Sequence, residues 1–483
     1  MTVQMFLMLL KWRKWMKWIP DLWQHQQEAL DRVNSLWDAG RPGALLAMGC
    51  GTGKSRVAVE LIEDANLFPA LILAPRSVIW APKGEESAWQ KQFRLYARRQ
   101  YDVLCLADGS TAKRAKALQA SAARGTPFVA VINYDAAWRG ELREAIMRIQ
   151  WRVIVGDEGH RLQAAGGRQS WFAKELAKRV PYRLGLTGTP LATGPLGAYG
   201  LFRFLDPSVF SINNKPMNFA QFRNRFAVMG GYGNHQVLSY TRLDELSERM
   251  NSISYRATAE VLNLLPPTTE TLFCELEPEA RRVYRGIEDD FIAELSTGEI
   301  TVQNALVKML RLAQIASGTI ETDEGVTVNI SKAKENLLRD TLEGIGAEEP
   351  IVVFCRFRAD LDRVHLAAER LGRGSLELSG RRNELARWQR DDAALILAVQ
   401  VQAGGVGIDL TRARYCLFYS LGFSLAEFEQ AKARLQRPGQ QQEHPVTFIQ
   451  LVAAQTVDSR LYKALEQKGD IVRSILDGMR PPP

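Results

Sequence analysis

The sequence predicts an α/β protein of two doubly wound parallel-sheet lobes with a helical insert between them, and three observations carry that reading. Residues 42 to 190 alternate short β-rich runs with helical patterns, and the same rhythm returns from residue 331. The first run ends in a glycine turn, "AMGCGTGKS" at 47 to 55, from which a helical pattern starts. At 483 residues the chain has room for two or three domains.

Residues 1–15 read as an N-terminal extension. "MTVQMFLMLLKWRKWMKW" puts its apolar run before its basic residues, the reverse of a secretory signal, and the run is too short to span a bilayer. Met16 then begins "MKWIPDLWQHQQEAL", a natural start for the folded part. The other reading is a basic, Trp-bearing arm for nucleic acid or membrane.

Residues 16–205 form the first lobe, with strands expected at "ALLAM", "ALILAP", "YDVLCLA", "FVAVINY", "RVIVGDE" and "RLGLTGT". Residues 206–330 are expected to be a helical insert and linker: "DELSERMNSI", "EARRVYRGIEDDFIAEL" and "QNALVKMLRLAQIA" have helical spacing, and "LLPPTTETLFCEL" reads as a linker feeding a strand. Residues 331–460 form the second lobe, through "PIVVFCRF", "SLELSG", "ALILAVQ", "YCLFYS" and "PVTFIQLV". A last helix and a frayed tail, "MRPPP", occupy 461–483.

Lysine and arginine outnumber acids by 62 to 54, an excess that permits a polyanionic partner without requiring one. The five cysteines are far apart, with no C-x-x-C pair, which speaks against a zinc module or a disulfide framework. A reducing, cytoplasmic compartment and no membrane association are expected.

The glycine turn ends like a phosphate-binding loop, but Met48 stands where G-x-x-x-x-G-K-[ST] has its first Gly. A strand, a turn through Gly51, Thr52 and Gly53, and a helix N-terminus present backbone N–H groups to a triphosphate. Lys54 would reach the β/γ-phosphates and Ser55 a magnesium ion. The plain alternative is a glycine-rich turn without a ligand. Farther on, "RVIVGDEGH" ends a buried-looking strand in Asp157 and Glu158, the order in which P-loop ATPases place a magnesium ligand beside the base for water. Solvated acids on a loop are the alternative there.

Together these segments resemble a helicase superfamily 2 ATPase of the Swi/Snf type, whose motifs run in order through residues 20 to 475. "LWQHQQEAL" resembles the adenine-recognition motif, with Gln26 as its glutamine, and "MGCGTGKS" resembles motif I. "LILAPRSVIWAPKGEESAWQKQF" resembles motif Ia, "DEGH" motif II, "LGLTGTPL" motif III and "IVVFCRF" motif IV. "VQAGGVGIDLT" resembles motif V and "QAKARLQRPGQ" motif VI, the latter in its Swi/Snf form. "TVDSRLYKALEQKGDIVRSIL" resembles the family's C-terminal brace helix. Many members carry a non-Gly residue at the position of Met48. The chain departs from the usual D-E-A-H at Gly159, and has Met48 and Gly49 where eukaryotic remodellers have an acidic pair.

The resemblance implies two RecA-like lobes, ATP and Mg2+ as cofactors, and double-stranded DNA as a partner contacted through its backbone. Arg434 and Arg437, spaced i, i+3 and so expected on one helix face, would stabilise the transferring γ-phosphoryl group when the lobes close. His160, Thr187, Gly188, Thr189, Asp409 and Gln430 would couple nucleotide state to movement. Pro75, Arg76 and Ser77, and Arg356 with Gln402, Ala403, Gly404 and Gly405, would meet the phosphodiester backbone. Trp80, Trp89 and Trp138 are weaker candidates for stacking on bases.

The function implied is a motor tracking on duplex DNA, in a compact form like those of bacteria and phages, monomeric when free, with a replication, recombination or repair partner left open. A strand-separating DNA or RNA helicase and an ATPase-dead nucleic-acid scaffold are the alternatives.

Overall fold

A computed structural model of the chain describes residues 19–81, 84–230, 236–262, 264–297, 302–321, 326–390, 396–401, 408–422, 424–437, 445–465 and 467. The expected N-terminal extension, Gln402 to Gly405 of motif V and the "PGQ" at 438–440 lie outside the described residues. Two compact units emerge, each with its own parallel sheet.

The first unit contains β1 (Gly43–Met48), β2 (Ala70–Ala74), β3 (Asp102–Leu106), β4 (Phe128–Asn133), β5 (Val153–Asp157) and β6 (Tyr182–Thr187). All six answer to the runs predicted from the sequence. β1, β2, β4 and β5 are buried at every residue, as strands covered on both faces must be, which explains why they read as unbroken apolar runs. Trp89, Trp151, Phe202 and Phe204 are among the large side chains buried in this unit.

Beyond β6 come a short hairpin of β7 (Ser211–Ile212) with β8 (Lys215–Pro216) and a two-stranded sheet of β9 (Ala227–Gly230) with β10 (Gln236–Tyr240). β11 (Ser254–Ala257) then returns to the first sheet, which runs β11-β1-β6-β5-β2-β4-β3 with every neighbouring pair parallel. Residue 205 therefore does not close the first unit, which takes in residues up to 228 and 239–261. The reason is β11 itself: "SYRA" is short and carries an arginine, so it leaves no strand signal behind a helical pattern.

The first strand of the second unit's sheet is β12 (Thr268–Cys274), part of the stretch expected to be insert, which pairs in parallel with β19 (Thr447–Ala453) over seven residues. Between them lie a hairpin of β13 (Thr319–Glu321) and β14 (Thr327–Asn329), then β15 (Ile351–Cys355), β16 (Ser375–Leu378), β17 (Ile396–Gln400) and β18 (Tyr415–Phe418). The sheet order is β12-β19-β18-β15-β17-β16. Alternation along β15 sorts its side chains to two cores: Val352 and Phe354 join Trp388, Phe418 and Phe428, while Ile351, Val353 and Cys355 join Leu338, Leu361 and Val364. The expected helices at Pro278–Thr297 and Val302–Ser317 are present. Residues 457–465 are helical, and most of the remaining expected brace lies outside the described residues. Among the described residues no helix is long and apolar enough to cross a membrane.

Candidate functional site

Sheet order brings the nucleotide motifs of the first unit together. β1 ends in the glycine turn, β6 beside it ends in Thr187, and β5 beside that ends in Asp157. The register pairs Ala47 with Thr187 and Leu186 with Asp157. Three strand ends are thereby level at one edge, the position where doubly wound sheets hold ligands.

Gly53 caps the helix Lys54–Asp64 in a left-handed conformation, φ 87°. A Cβ there would sit 2.2 Å from Gln26 Nε2, so a side chain would have to displace the Gln26 amide from its bond as well as adopt a φ that favours glycine. Gln26 is buried; its amide donates to the Thr52 carbonyl at 3.1 Å and its Oε1 accepts the Trp23 N–H at 3.1 Å. His25 Nε2 lies 2.8 Å from the same Thr52 carbonyl. The Thr52 hydroxyl donates to Gly49 O at 2.7 Å. Lys54 Nζ donates to the carbonyls of Met48 (2.8 Å) and Gly49 (2.9 Å), folding back over the turn it follows.

Asp157 and Glu158 are both buried, at 7% and 5% exposure, against what a solvated acidic loop would show. Burial, reinforced by the charge of Glu158, holds the Asp157 carboxyl well above the usual carboxylate range, while the Trp89 N–H and Lys54 pull the other way. Such a carboxyl gains from a cation. Ser55 and Asp157 are oxygen donors, the kind magnesium takes, and would be the residues to hold it here.

Glu158 is itself left-handed, φ 52°, an uncommon conformation for a non-glycine residue and one that turns the chain sharply after β5. His160 follows in a single 3-10 turn. Its Nδ1 lies 3.3 Å from Glu158 Oε2, 3.3 Å from the Thr187 hydroxyl and 3.4 Å from that of Thr189. Thr189 N–H donates to Thr187 Oγ1 at 3.1 Å. Gly188 sits between them against the glycine turn, where an added Cβ would lie 3.4 Å from Met48 O. His160, Thr187 and Thr189, expected as coupling residues, form one contact network with Glu158, and Gly188, the fourth, joins the two threonines along the chain.

Two contacts of this neighbourhood have no signal in the sequence. Trp89, considered there as a stacking residue, is 2% exposed and donates its indole N–H to Asp157 Oδ2 at 3.0 Å. Gln163, unremarked in "HRLQ", is buried; it donates to Pro190 O at 2.6 Å and accepts from Thr193 N–H (3.0 Å) and hydroxyl (2.8 Å), tying the turn after β5 to the turn after β6. Neither contact has a local signal, since the partners are 68 and about 30 residues apart.

Of the expected nucleic-acid residues in this unit, Arg76 and Ser77 are exposed and Pro75 is buried as the cap of the short helix Arg76–Ile79. Arg76 pairs with Asp108 at 2.7 Å, an exposed pair that a phosphate can displace at little cost. Trp80 is 44% exposed, whereas the half-buried Trp138 is flanked by the guanidinium groups of Arg139 and Arg168.

In the second unit, the helix Leu425–Leu435 ends before Arg437, so Arg434 and Arg437 do not share a helix face as expected. Gln436 takes a non-helical φ/ψ of −88°/86°, and the proline at 438 accounts for the stop. Arg434 is 2% exposed; Arg437 is half-buried and donates its Nε to Ala433 O at 3.0 Å. Gln430 lies half-buried on the same helix. Asp409 Oδ1 accepts from the N–H (2.9 Å) and hydroxyl (2.7 Å) of Thr411, a local turn rather than a bond to either arginine. Arg356, half-buried after β15, donates to Leu421 O at 3.4 Å.

The sequence profile of the SNF2-related domain matches residues 14–319, and that of the helicase conserved C-terminal domain matches residues 333–439. The human DNA excision repair protein ERCC-6 is 22% identical over 91% of this chain and 30% of its own length. A putative protein p41 of Acyrthosiphon pisum secondary endosymbiont phage 1 is 25% identical over 93% of this chain and 97% of its own length. The chain spans less than half the length of the human relative and of similar Arabidopsis thaliana and Mycoplasma genitalium helicases. The solved Sulfolobus solfataricus SWI2/SNF2 ATPase core in complex with dsDNA is 20% identical with a TM-score of 0.44, covering 95% of this chain and 93% of that one.

Proposed function

Because the chain belongs to the SNF2-related family of helicase superfamily 2, we propose that it is an ATP-dependent motor that translocates on double-stranded DNA. The observation that carries this reading is the meeting of Lys54, Asp157, Glu158 and Thr187 at three neighbouring strand ends, with His160 in contact with Glu158 and the Thr187 turn. In it, Lys54 and the glycine turn bind the phosphates, and Glu158 orients the attacking water. Ser55 and Asp157 would hold magnesium, which would supply charge neutralisation at the phosphates. Arg434 and Arg437 act on the charge that develops in hydrolysis. Gln26 selects adenine. Arg76, Ser77 and Arg356 belong to the backbone contacts, which predicts little sequence preference. The proposed place of action is the cytoplasm, as a monomer when free, on DNA or on protein–DNA complexes.

The test is the polymer that stimulates hydrolysis and the product formed. Duplex DNA is expected to stimulate more than single-stranded DNA or RNA, with stimulation falling steeply with salt as counterion release requires. A triplex substrate is expected to lose its third strand in ATP while a forked duplex stays annealed. Lys54→Ala is expected to abolish turnover and leave DNA binding largely intact. Preference for RNA, or fork unwinding without triplex displacement, would move the reading to a strand-separating helicase; no hydrolysis by the wild type would leave a scaffold.

A further inference from the structure

Trp89 stands at the second residue of the helix Ala88–Tyr96, whose start is fixed by a reciprocal pair: Ser87 N–H donates to Gln90 Oε1 at 2.9 Å, and Gln90 N–H to Ser87 Oγ at 3.3 Å. From that anchored turn the indole reaches Asp157 Oδ2 at 3.0 Å, with both groups buried. On the other side the Tyr134 hydroxyl, fully buried, donates to the Asp157 main-chain carbonyl at 2.8 Å. The last residue of β5 is thus gripped twice, once through its backbone and once through its carboxylate.

The chemistry of the grip is specific. An indole donates and never accepts, so it cannot turn a second face to the carboxylate, and being neutral it adds no charge to oppose an approaching cation. A lysine or arginine here would compete with the metal; a hydroxyl or amide would be free to rotate or flip. We propose that Trp89 is a positioning residue for the metal-holding carboxylate, its N–H fixing the orientation in which Asp157 meets a magnesium–nucleotide. The proposal rests on the assignment of Asp157 as magnesium ligand, and Trp89 acts through Asp157 alone.

Trp151 provides an internal control, since it too is 2% exposed in the same unit and spends its N–H on a buried bond, to Ile146 O at 2.9 Å. The experiment measures binding of a fluorescent ATP analogue to the full chain across a magnesium titration and in EDTA, together with thermal melting. In Trp89→Phe the magnesium concentration giving half-maximal nucleotide binding is expected to rise ~10-fold or more, as removal of an outer partner of a metal ligand does elsewhere. Binding in EDTA is expected to match wild type, and Trp151→Phe to melt lower with no change in magnesium requirement. Should Trp89→Phe fail to fold, benzothienylalanine at position 89 replaces the N–H by sulfur at nearly the same shape and is expected to show the same magnesium shift. An unchanged magnesium requirement in a folded variant, with melting lowered as in Trp151→Phe, overturns the positioning role. Wild-type nucleotide binding that ignores magnesium overturns the Asp157 assignment and this role with it.

Discussion

His160 and Thr187 meet with imidazole Nδ1 3.3 Å from the threonine hydroxyl, and the same nitrogen lies 3.3 Å from Glu158. One ring nitrogen carries at most one proton, so it can donate to the carboxylate or to the hydroxyl, but not to both at full strength. Whatever alters the carboxylate's demand for that proton alters how the turn after β6 is held. The contact gives motif II a physical route to motif III without an intervening residue.

Glu158→Gln is expected to keep nucleotide binding and to lose turnover by ~10²-fold or more, because an amide cannot serve as the base that orients water. Affinity for DNA in the presence of ATP is expected to hold or rise. A DNA-binding assay with and without ATP, beside steady-state hydrolysis, checks both; a variant with wild-type turnover removes Glu158 from the chemistry.

The two arginines of the second unit are expected to behave differently. Arg437, half-buried and past the helix end, is expected on Arg437→Ala to lower turnover by ~10²-fold or more with a smaller loss of ATP affinity and little change in melting. Arg434, 2% exposed in the last helical turn, is expected on Arg434→Ala to lower the melting temperature as well. Calorimetry beside kinetics separates them, and equal melting losses would contradict the distinction.

Gly53→Ala places a Cβ where Gln26 Nε2 already stands and forces a side chain into φ 87°. Both costs fall on the phosphate-binding turn, so nucleotide affinity is expected to drop ~10-fold or more and stability by ~1–3 kcal/mol. Isothermal titration with ATP checks this. Wild-type affinity would mean that the turn rearranges freely, and that the Gln26 contact does not define it.

Asp360 supplies a pH dependence. It is fully buried after β15, and burial pushes its carboxyl up to about 6 despite hydrogen bonds from the Ser420 hydroxyl and the Phe357 N–H. Its unfolded value lies near ~3.9, so the folded chain binds the proton more tightly. The stability this gives is present in full below pH ~4 and is lost as pH rises through about 6. Asp360→Asn, which cannot titrate, is therefore expected to gain on wild type in melting temperature between pH 4 and 6 and to run parallel to it above. A gap constant across that range would show that burial does not shift this group.

The thirteen strands described in the two large sheets show what a single sequence reveals and what it hides. Twelve follow from apolar runs such as "ALLAM" and "IVVFC", because strands covered on both faces must be apolar throughout, or, for the largely exposed β12, from "LLPPTTETLFCEL" as a linker feeding a strand. The charged "SYRA" of β11 has no such signature and was missed. At the site, glycines and consecutive acids announced Gly53, Lys54, Asp157 and Glu158, since their chemistry is local in sequence. Trp89 and Gln163 act on residues far along the chain, and a buried indole looks the same whether it fills a core or serves a carboxylate. The arginine spacing misled for another reason: i, i+3 describes a helix only while the helix continues, and Pro438 stops it first.

The position of β11 also bears on how this chain is made. Until residues 254–257 have been synthesised, β1 has no neighbour on one side, and its wholly apolar strand leaves that row of amide and carbonyl groups open. A nascent chain must emerge for some two hundred residues past the phosphate loop before that flank is covered, an interval in which chaperones or aggregation can claim it. The same arithmetic governs fragments: a piece cut at 205 would expose the flank permanently and is expected to precipitate, whereas one continued to 261 carries its own seal.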